Sequence, residues 1–212
     1  MNMKHNNDYV IIFDVFGVLL TRGFQSSSCI LSSLLKKDIS EIKPVYERWE
    51  IPFDLGALSE KRFWELIQQD LGTSVDWESL NKAVLNSYMP IEGSIELLKK
   101  CSRTTQIFLM SNTRREWFEY LDKKFCLTKY VKKAFLSYQV GIIKPNLDFY
   151  LYVTHELGRE SHQIIFIVYR LPNDIKRATI FLLIKICNIH KNGFKLINQA
   201  AEVTAAVLFK LG

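Results

Sequence analysis

A single carboxylate, Asp14, stands directly after the apolar run 9–13, and a turn at Gly17 follows it. Burying an unpaired carboxylate in such a strand would be costly. At the carboxyl end of a parallel strand, however, the same group lies where α/β folds bind their ligands. The position therefore predicts a nucleophile or a metal ligand. Taken alone, an aspartate that only ends the strand and caps the turn is the alternative interpretation.

Polar side chains also follow or adjoin three later segments. These are Ser111 and Asn112 after the apolar run 106–110, Lys144 before Pro145, and Asp174 beyond the apolar run 164–168. Each has an ordinary interpretation: Ser111 could cap a helix, and Lys144 could be a solvated surface residue. The order and spacing of the whole set are far more specific than any one member.

The order strand–Asp, strand–Ser, Lys-Pro, strand–acid over residues 9–178 resembles the haloacid dehalogenase superfamily. The stretches that carry the resemblance are Phe13-Asp-Val-Phe-Gly-Val-Leu, Leu109-Met-Ser-Asn-Thr, Gly141-Ile-Ile-Lys-Pro and Leu171-Pro-Asn-Asp-Ile-Lys-Arg-Ala. In that family the first aspartate attacks phosphorus or carbon and forms a covalent aspartyl intermediate, which water then hydrolyses. The resemblance implies a hydrolase, most simply a phosphatase acting on a small phosphorylated metabolite.

The resemblance also implies a role for each matching residue. Asp14 would be the nucleophile, and Lys144 would neutralise charge on the nucleophile and the transferring group. Ser111 and Asn112 would bind the substrate. Magnesium would be held by Asp14 and by the backbone carbonyl of Phe16, with Asp174 as a weak further ligand.

Two positions depart from the family's pattern. Phe16 stands where family phosphatases usually carry an aspartate that protonates the leaving group, and losing such an acid typically costs about 10²–10⁴-fold in rate. Tyr169 aligns with the acid that holds magnesium, and shifting by one residue puts Val168 or Arg170 there instead. Tyrosine, with a pKa of about 10, is a poor magnesium ligand. The sequence therefore predicts a weak phosphatase with an incomplete metal site.

Two other functions fit the same residues. One is a catalytically inactive relative that binds a phosphorylated ligand or a protein partner through the retained pocket. The other is a metal-independent 2-haloacid dehalogenase, because that branch of the family has an aromatic residue at the position of Phe16. Residues 169–171 do not reproduce its fourth motif, so the choice stays open at this point.

Alternating strands and helices predict an α/β fold with a Rossmann-like parallel sheet covered on both faces. The resemblance adds a small helical cap at 22–89, inserted after the first strand, so that 1–21 and 90–212 form the core. Predicted strands cover 9–14, 106–110, 134–137 and 164–168. Predicted helices cover 29–35, 42–49, 59–67 and 77–88 in the cap, and 94–101, 114–124, 147–157 and 200–209 in the core.

Composition sets the remaining expectations. The 212 residues suit one core domain with a small insert, and an apolar share of 48% can form a core. Four widely spaced cysteines argue against zinc and for reduced thiols. The net charge of +6 is spread along the chain, so we expect no nucleic-acid partner. The apolar run 180–189 is too short to span a bilayer, and we expect a cytoplasmic protein without a membrane partner.

Overall fold

A parallel sheet of five strands lies at the centre of the structure, a computed structural model that describes residues 9–168 and 185–188. The strands are β1 (Val10–Phe13), β2 (Gln106–Ser111), β3 (Lys133–Leu136), β4 (Ile164–Val168) and β5 (Lys185–Asn188). Their order is β3-β2-β1-β4-β5, and every neighbouring pair is parallel.

Both faces of the sheet are covered, which follows from the unbroken apolar character of its central strand. Val10, Ile11, Ile12 and Phe13 are each at most 1% exposed. Because successive side chains point to opposite faces, Ile11 and Phe13 join one buried cluster while Val10 and Ile12 join another. The predicted α/β, Rossmann-like architecture is confirmed.

The strand order makes β1 the point at which the winding of the sheet reverses. Strands β2 and β3 lie on one side of β1, whereas β4 and β5 lie on the other. Phe13 pairs with Leu109 of β2 and with Ile167 of β4, so the carboxyl ends of three strands are level. Such a switch point forms a crevice where ligands bind in open parallel sheets, and Asp14 is the first residue beyond it.

Four helices follow β1 in the chain, and we call them the helical insert: α1 (Gly23–Leu35), α2 (Ile39–Asp54), α3 (Glu60–Leu71) and α4 (Trp77–Ser87). The described part of the core adds α5 (Ser94–Ser102), α6 (Arg115–Phe125), α7 (Ser137–Val140) and α8 (Leu147–Leu157). Short 3₁₀ turns occur at Thr128–Tyr130 and Ser161–Gln163. The division into a cap at 22–89 and a core stays a prediction.

Helix α2 is longer than predicted. The apolar spacing predicts an end at Trp49, yet α2 continues through Pro52 to Asp54. Proline removes a backbone donor and usually ends or kinks a helix, but tertiary packing fixes this last turn because Phe53 is fully buried and Asp54 nearly so. The other predicted elements are present with shifted ends, except that the predicted helix 200–209 lies outside the described residues.

The two chain segments that connect the core to the helical insert lie side by side. The N–H of Thr21 donates to the carbonyl oxygen of Met89 at 2.9 Å. Gly23, which opens α1, lies so close to Tyr88 that an added Cβ would overlap the tyrosine hydroxyl. The insert is therefore joined to the core through one paired junction, and its other contacts with the core must fix its orientation.

Candidate active site

Asp14 lies directly beyond β1, at the switch point of the sheet. Its backbone N–H donates to the carbonyl oxygen of Ile167 at 2.9 Å, which extends the ladder between β1 and β4. The N–H of Val15 donates to Oδ1 of Asp14 at 2.8 Å. With 18% of its side chain exposed, the carboxylate is held by the backbone and is still reachable from the crevice, as a nucleophile must be.

The ammonium group of Lys144 contacts the same carboxylate. Its Nζ lies 2.7 Å from Oδ1 of Asp14 and donates a further hydrogen bond of 3.0 Å to the carbonyl oxygen of Met110. An ammonium group carries three donors, so these two contacts leave one for a substrate oxygen. The contact places a cation where negative charge would develop during displacement at Asp14.

The amide of Asn112 binds the backbone of Lys144 in both directions. Its Nδ2 donates to the carbonyl oxygen of Lys144 at 2.9 Å, and its Oδ1 accepts from the N–H of Lys144 at 2.8 Å. These two hydrogen bonds orient the loop that carries the lysine. A direct contact between Asn112 and the substrate stays a prediction.

Ser111 ends β2 and is fully buried. Its hydroxyl makes one long hydrogen bond of 3.3 Å to the carbonyl oxygen of Asn112. Because Phe13 is level with Leu109, Asp14 follows one strand end while Ser111 stands at the neighbouring one. The structure thus brings the predicted polar residues to one edge of the sheet, whereas phosphate binding by Ser111 stays a prediction.

Phe16 stands two residues after Asp14, in a turn that folds back on itself. A backbone bridge joins Phe16 to Leu20, and Gly17 has a φ of 85°, in the left-handed region that favours glycine. The half-buried ring of Phe16 packs against Tyr88, with 5.2 Å between the ring centroids. The position of the family's usual general acid therefore holds an aromatic ring that contacts the end of the helical insert and cannot donate a proton.

The described residues offer few donors for a magnesium ion. Oδ2 of Asp14 and the backbone carbonyl of Phe16 make no hydrogen bond within residues 9–168. Across the described chain there is no group of three His, Cys, Asp or Glu residues that could hold a metal. Asp174 and Tyr169 lie outside the described residues. Since Mg²⁺ commonly keeps several waters and uses one or two carboxylates, these donors fit a weakly held ion.

A buried arginine, Arg114, lies beside the predicted site, although no motif points to it. Its side chain is 4% exposed, and its Nη1 lies 2.5 Å from Oδ1 of Asp54 in α2. The guanidinium stacks on Trp117, with 3.7 Å between Cζ and the ring centroid. Arg115 has the same charge and is 64% exposed. No sequence signal separates the two, because an aromatic residue stands three positions after each of them, Trp117 after Arg114 and Phe118 after Arg115.

Burial governs the ionisation of the carboxylates around Arg114. It raises the pKa of Asp54, although the charge and hydrogen bond of Arg114 oppose the change. Burial, and after it the charge of Asp54, also raise the pKa of Glu50 from 4.5 to about 7. For Arg114, burial alone would lower the pKa, but the charge of Asp54, together with smaller effects of Tyr46, Tyr88 and Glu50, outweighs burial and the pKa is raised. Glu50 keeps 37% of its side chain exposed, so it lies at the open side of this cluster.

Replacing Glu50 with glutamine is expected to stabilise the protein at high pH. The folded pKa of about 7 lies above the unfolded value of 4.5, so the folded state binds more protons and stability falls as the pH rises through this window. Because 37% of the side chain is exposed, screening limits the penalty above that window to about 1 kcal/mol. Urea unfolding should show the gain at pH 8 and little change at pH 5.

The matched control is Glu65→Gln, because Glu65 in α3 has a similarly exposed side chain, at 43%, and its carboxylate lies on the surface beside Lys61 and Arg62. This variant should gain no stability at either pH. A gain of equal size at both pH values in Glu50→Gln would contradict the raised pKa. The groups that face Glu50 are Arg114, Asp54, Arg22 and Glu47, and none of them changes in either variant.

Tyr150 in α8 has a buried hydroxyl with no hydrogen-bond partner in the part of the chain that the structure describes. Burial raises its pKa, and the nearby charge of Asp14 raises it further. An unsatisfied buried polar group costs about 1–3 kcal/mol. Tyr150→Phe should therefore raise the free energy of unfolding by about 1 kcal/mol in chemical denaturation, whereas the exposed Tyr152→Phe should change little. Lower stability of Tyr150→Phe would show that the hydroxyl has a partner.

Two comparisons based on sequence identify relatives of the chain. The family model for haloacid dehalogenase-like hydrolases matches residues 11–179. The chloroplastic flavin mononucleotide hydrolase 1 of Arabidopsis thaliana is 27% identical over 170 residues, which cover 80% of this chain and 67% of that protein. The matched region contains all of the described residues that we place at the site.

Solved structures share the fold. A haloacid dehalogenase family enzyme from Bacteroides thetaiotaomicron, in complex with magnesium and inorganic phosphate, has a TM-score of 0.66 at 18% identity, over 85% of this chain and 93% of that one. The L-2-haloacid dehalogenase from Xanthobacter autotrophicus has a TM-score of 0.61 at 16% identity, over 85% and 76%. Because the family model spans most of the sequence, from β1 to beyond β4, the chain belongs to the haloacid dehalogenase-like hydrolase family.

Proposed function

We propose that this protein is a small-molecule phosphatase that acts through an aspartyl-phosphate on Asp14. The observation that carries the proposal is the 2.7 Å contact between Oδ1 of Asp14 and Nζ of Lys144 at the switch point of the sheet. A partly exposed carboxylate with a cation on one oxygen can attack phosphorus with the other. Membership of a hydrolase family supports the same class of reaction.

The displacement would take place in two steps. Oδ2 of Asp14 forms a bond to phosphorus while the bond to the ester oxygen breaks, and the leaving alcohol takes its proton from solvent because Phe16 has none to give. Water then attacks phosphorus while the bond between phosphorus and Oδ2 of Asp14 breaks. The water's proton passes to solvent, inorganic phosphate leaves, and Asp14 returns to a carboxylate. Lys144 stays beside Oδ1 and offsets the negative charge that builds up on the transferring group.

Magnesium is part of this proposal as a weakly held cofactor. A bound ion would offset the repulsion between the carboxylate of Asp14 and the phosphate. The donors would be that carboxylate, the backbone carbonyl of Phe16 and water, with Asp174 as a weak further ligand. The complex of the Bacteroides thetaiotaomicron enzyme with magnesium and phosphate supports the idea by analogy.

The aromatic ring beside the nucleophile favours a substrate with a flat portion. Phe16 is half-buried and stands two residues from Asp14, and an aromatic side chain at that place would pack well against a flat leaving group. The relative from Arabidopsis thaliana is named a flavin mononucleotide hydrolase, and a flavin ring is flat. We therefore place flavin mononucleotide first among the small phosphorylated metabolites to be tested.

A cytoplasmic location belongs to the proposal as well. Cys29, Cys101 and Cys126 are free thiols, which suits a reducing compartment. Separately, none of the described helices combines the length and the apolar composition that crossing a membrane requires.

The experiment that tests the proposal is a phosphate-release assay on a panel of substrates, with and without magnesium. The panel contains flavin mononucleotide, sugar phosphates and p-nitrophenyl phosphate, and Asp14→Asn serves as the blank. Magnesium-dependent release above that blank would support the phosphatase. No release from any substrate would overturn it and leave the inactive, ligand-binding relative as the better account.

A second candidate is a metal-independent 2-haloacid dehalogenase. The observation in its favour is the aromatic side chain of Phe16 in place of a proton donor, since displacement of halide needs no protonated leaving group. Halide release from 2-chloropropionate without magnesium, lost in Asp14→Asn, would establish this reaction. Absence of halide release would remove the candidate.

A further inference from the structure

The last turn of α2 is attached to the core at two atoms of one residue, Asp54. Its carboxylate Oδ1 lies 2.5 Å from Nη1 of Arg114. Its backbone carbonyl accepts a hydrogen bond of 2.6 Å from the hydroxyl of Ser137, the first residue of α7. Asp54 thus attaches the helical insert to the core through both its side chain and its backbone carbonyl, at two different places in the core.

Both of these core residues, Arg114 and Ser137, are connected to the site. Arg114 stands two residues after Asn112, whose amide binds the backbone of Lys144. The hydroxyl of Ser137 also accepts a hydrogen bond of 2.8 Å from the N–H of Thr113. A continuous series of contacts therefore runs from Asp54 in the insert to the loop that ends β2, and from there to the lysine beside Asp14.

The surroundings of Arg114 indicate that the helical insert has two discrete positions relative to the core and does not separate from it gradually. Its guanidinium packs against Trp117 and Phe53, with 3.7 Å and 4.8 Å from Cζ to the two ring centroids. Its Nη2 donates a hydrogen bond of 3.4 Å to the hydroxyl of Tyr46. Both carboxylates that pair with this arginine, Asp54 at 2.5 Å and Glu50 at 3.9 Å, belong to α2. Moving α2 away while Arg114 stays buried would therefore leave its charge unpaired, which is strongly unfavourable. The insert is therefore either docked with the contact made, or displaced with both groups hydrated.

We propose that Arg114 is a positioning residue that docks α2 of the helical insert onto the loop bearing Ser111 and Asn112, so that the site is complete only when the insert is docked. This inference rests on the proposed phosphatase function and assigns a role that the four sequence motifs leave out. The alternative is that the ion pair only stabilises the fold, with no influence on the site.

The test compares variants that weaken docking with a matched control. Asp54→Asn removes the charge and keeps the shape, whereas Ser137→Ala removes the second attachment and leaves the ion pair. Arg114→Lys is the conservative variant and Arg114→Met the severe one. Arg115→Met is the control, because Arg115 is adjacent, carries the same charge and is 64% exposed.

The kinetic readout separates positioning from stability. When only a fraction of the molecules is docked, the apparent affinity falls by that fraction, so the KM for flavin mononucleotide should rise about tenfold in Asp54→Asn and Ser137→Ala while kcat stays within about twofold. The KM of Arg114→Lys should lie between that of the wild type and that of Arg114→Met. Unchanged KM in Asp54→Asn and Ser137→Ala, together with a lower melting temperature, would assign the pair to stability alone and overturn the inference.

Hydrogen exchange provides a readout that does not need turnover. The amides of Leu55 and Gly56, which donate to Ile51 and Phe53 at the end of α2, should exchange about tenfold faster in Asp54→Asn and Ser137→Ala. Arg115→Met should leave them unchanged. Faster exchange in a protein whose wild type releases no phosphate would uphold docking and reject the phosphatase, whereas unchanged exchange would reject docking whatever the activity.

Discussion

Asp14→Asn should abolish phosphate release and leave the protein folded. Asparagine matches the shape of aspartate, but its neutral amide cannot form the acyl phosphate, so the rate should fall by about 10³-fold or more. Lys144 keeps its 3.0 Å hydrogen bond to Met110 and loses its charged partner. Because that partner is only partly buried, the free energy of unfolding should fall by about 1–2 kcal/mol.

The control is Asp148→Asn, which changes an exposed aspartate in the first turn of α8. It should keep full activity, and both variants should show the circular dichroism spectrum of the wild type. Phosphate release that survives in purified Asp14→Asn would contradict the whole mechanism, including the roles given to Lys144 and Ser111.

Phe16→Asp is expected to accelerate the hydrolysis of esters with poor leaving groups. Aspartate at this position would restore a proton donor two residues from the nucleophile, and general acid catalysis is worth about 10²–10⁴-fold. We expect about 10²-fold in kcat/KM for sugar phosphates. For p-nitrophenyl phosphate the gain should be small, because its leaving group needs no proton.

The matched control is Phe16→Asn, which has the size of the aspartate variant and cannot serve as an acid. Both variants lose the 5.2 Å ring contact with Tyr88. A change in kcat/KM that both variants share is therefore due to the loss of that packing. The rate should be plotted against the pKa of the leaving alcohol for each protein. Equal slopes for Phe16→Asp and Phe16→Asn would show that the missing acid does not limit this enzyme.

The sheet and the edge that carries the site are predictable because both follow from local chemistry. Unbroken apolar runs at 10–13 and 164–168 indicate strands buried on both faces. Polar residues such as Asp14 and Ser111 mark the points where those runs stop. Since parallel strands align their carboxyl ends, the residues converge there without any knowledge of the register.

The attachment of α2 to the core is not predictable in the same way. Arg114 and Asp54 are 60 residues apart in the sequence, and charged side chains are usually exposed. Arg114 and Arg115 look alike until the packing of Trp117 distinguishes them. The prediction that α2 ends at Trp49 was wrong for a related reason, because long-range contacts hold the turn that contains Pro52.

Asn112 shows a further limit of motifs. The resemblance assigns it to the substrate, yet both polar atoms of its amide bind the backbone of Lys144. Spacing shows which polar groups come together, but it does not show which of them already have partners. A side chain that orients the lysine and a side chain that binds the phosphate produce the same sequence pattern.

Mass spectrometry after chemical trapping tests the central claim most directly. The protein would be mixed briefly with flavin mononucleotide and magnesium and treated with borohydride, which reduces an aspartyl phosphate to homoserine. The account predicts that the peptide covering residues 9–20 carries this reduction at Asp14, in wild type and not in Asp14→Asn. Phosphate release by a wild-type protein in which position 14 is never reduced would contradict a covalent intermediate on Asp14.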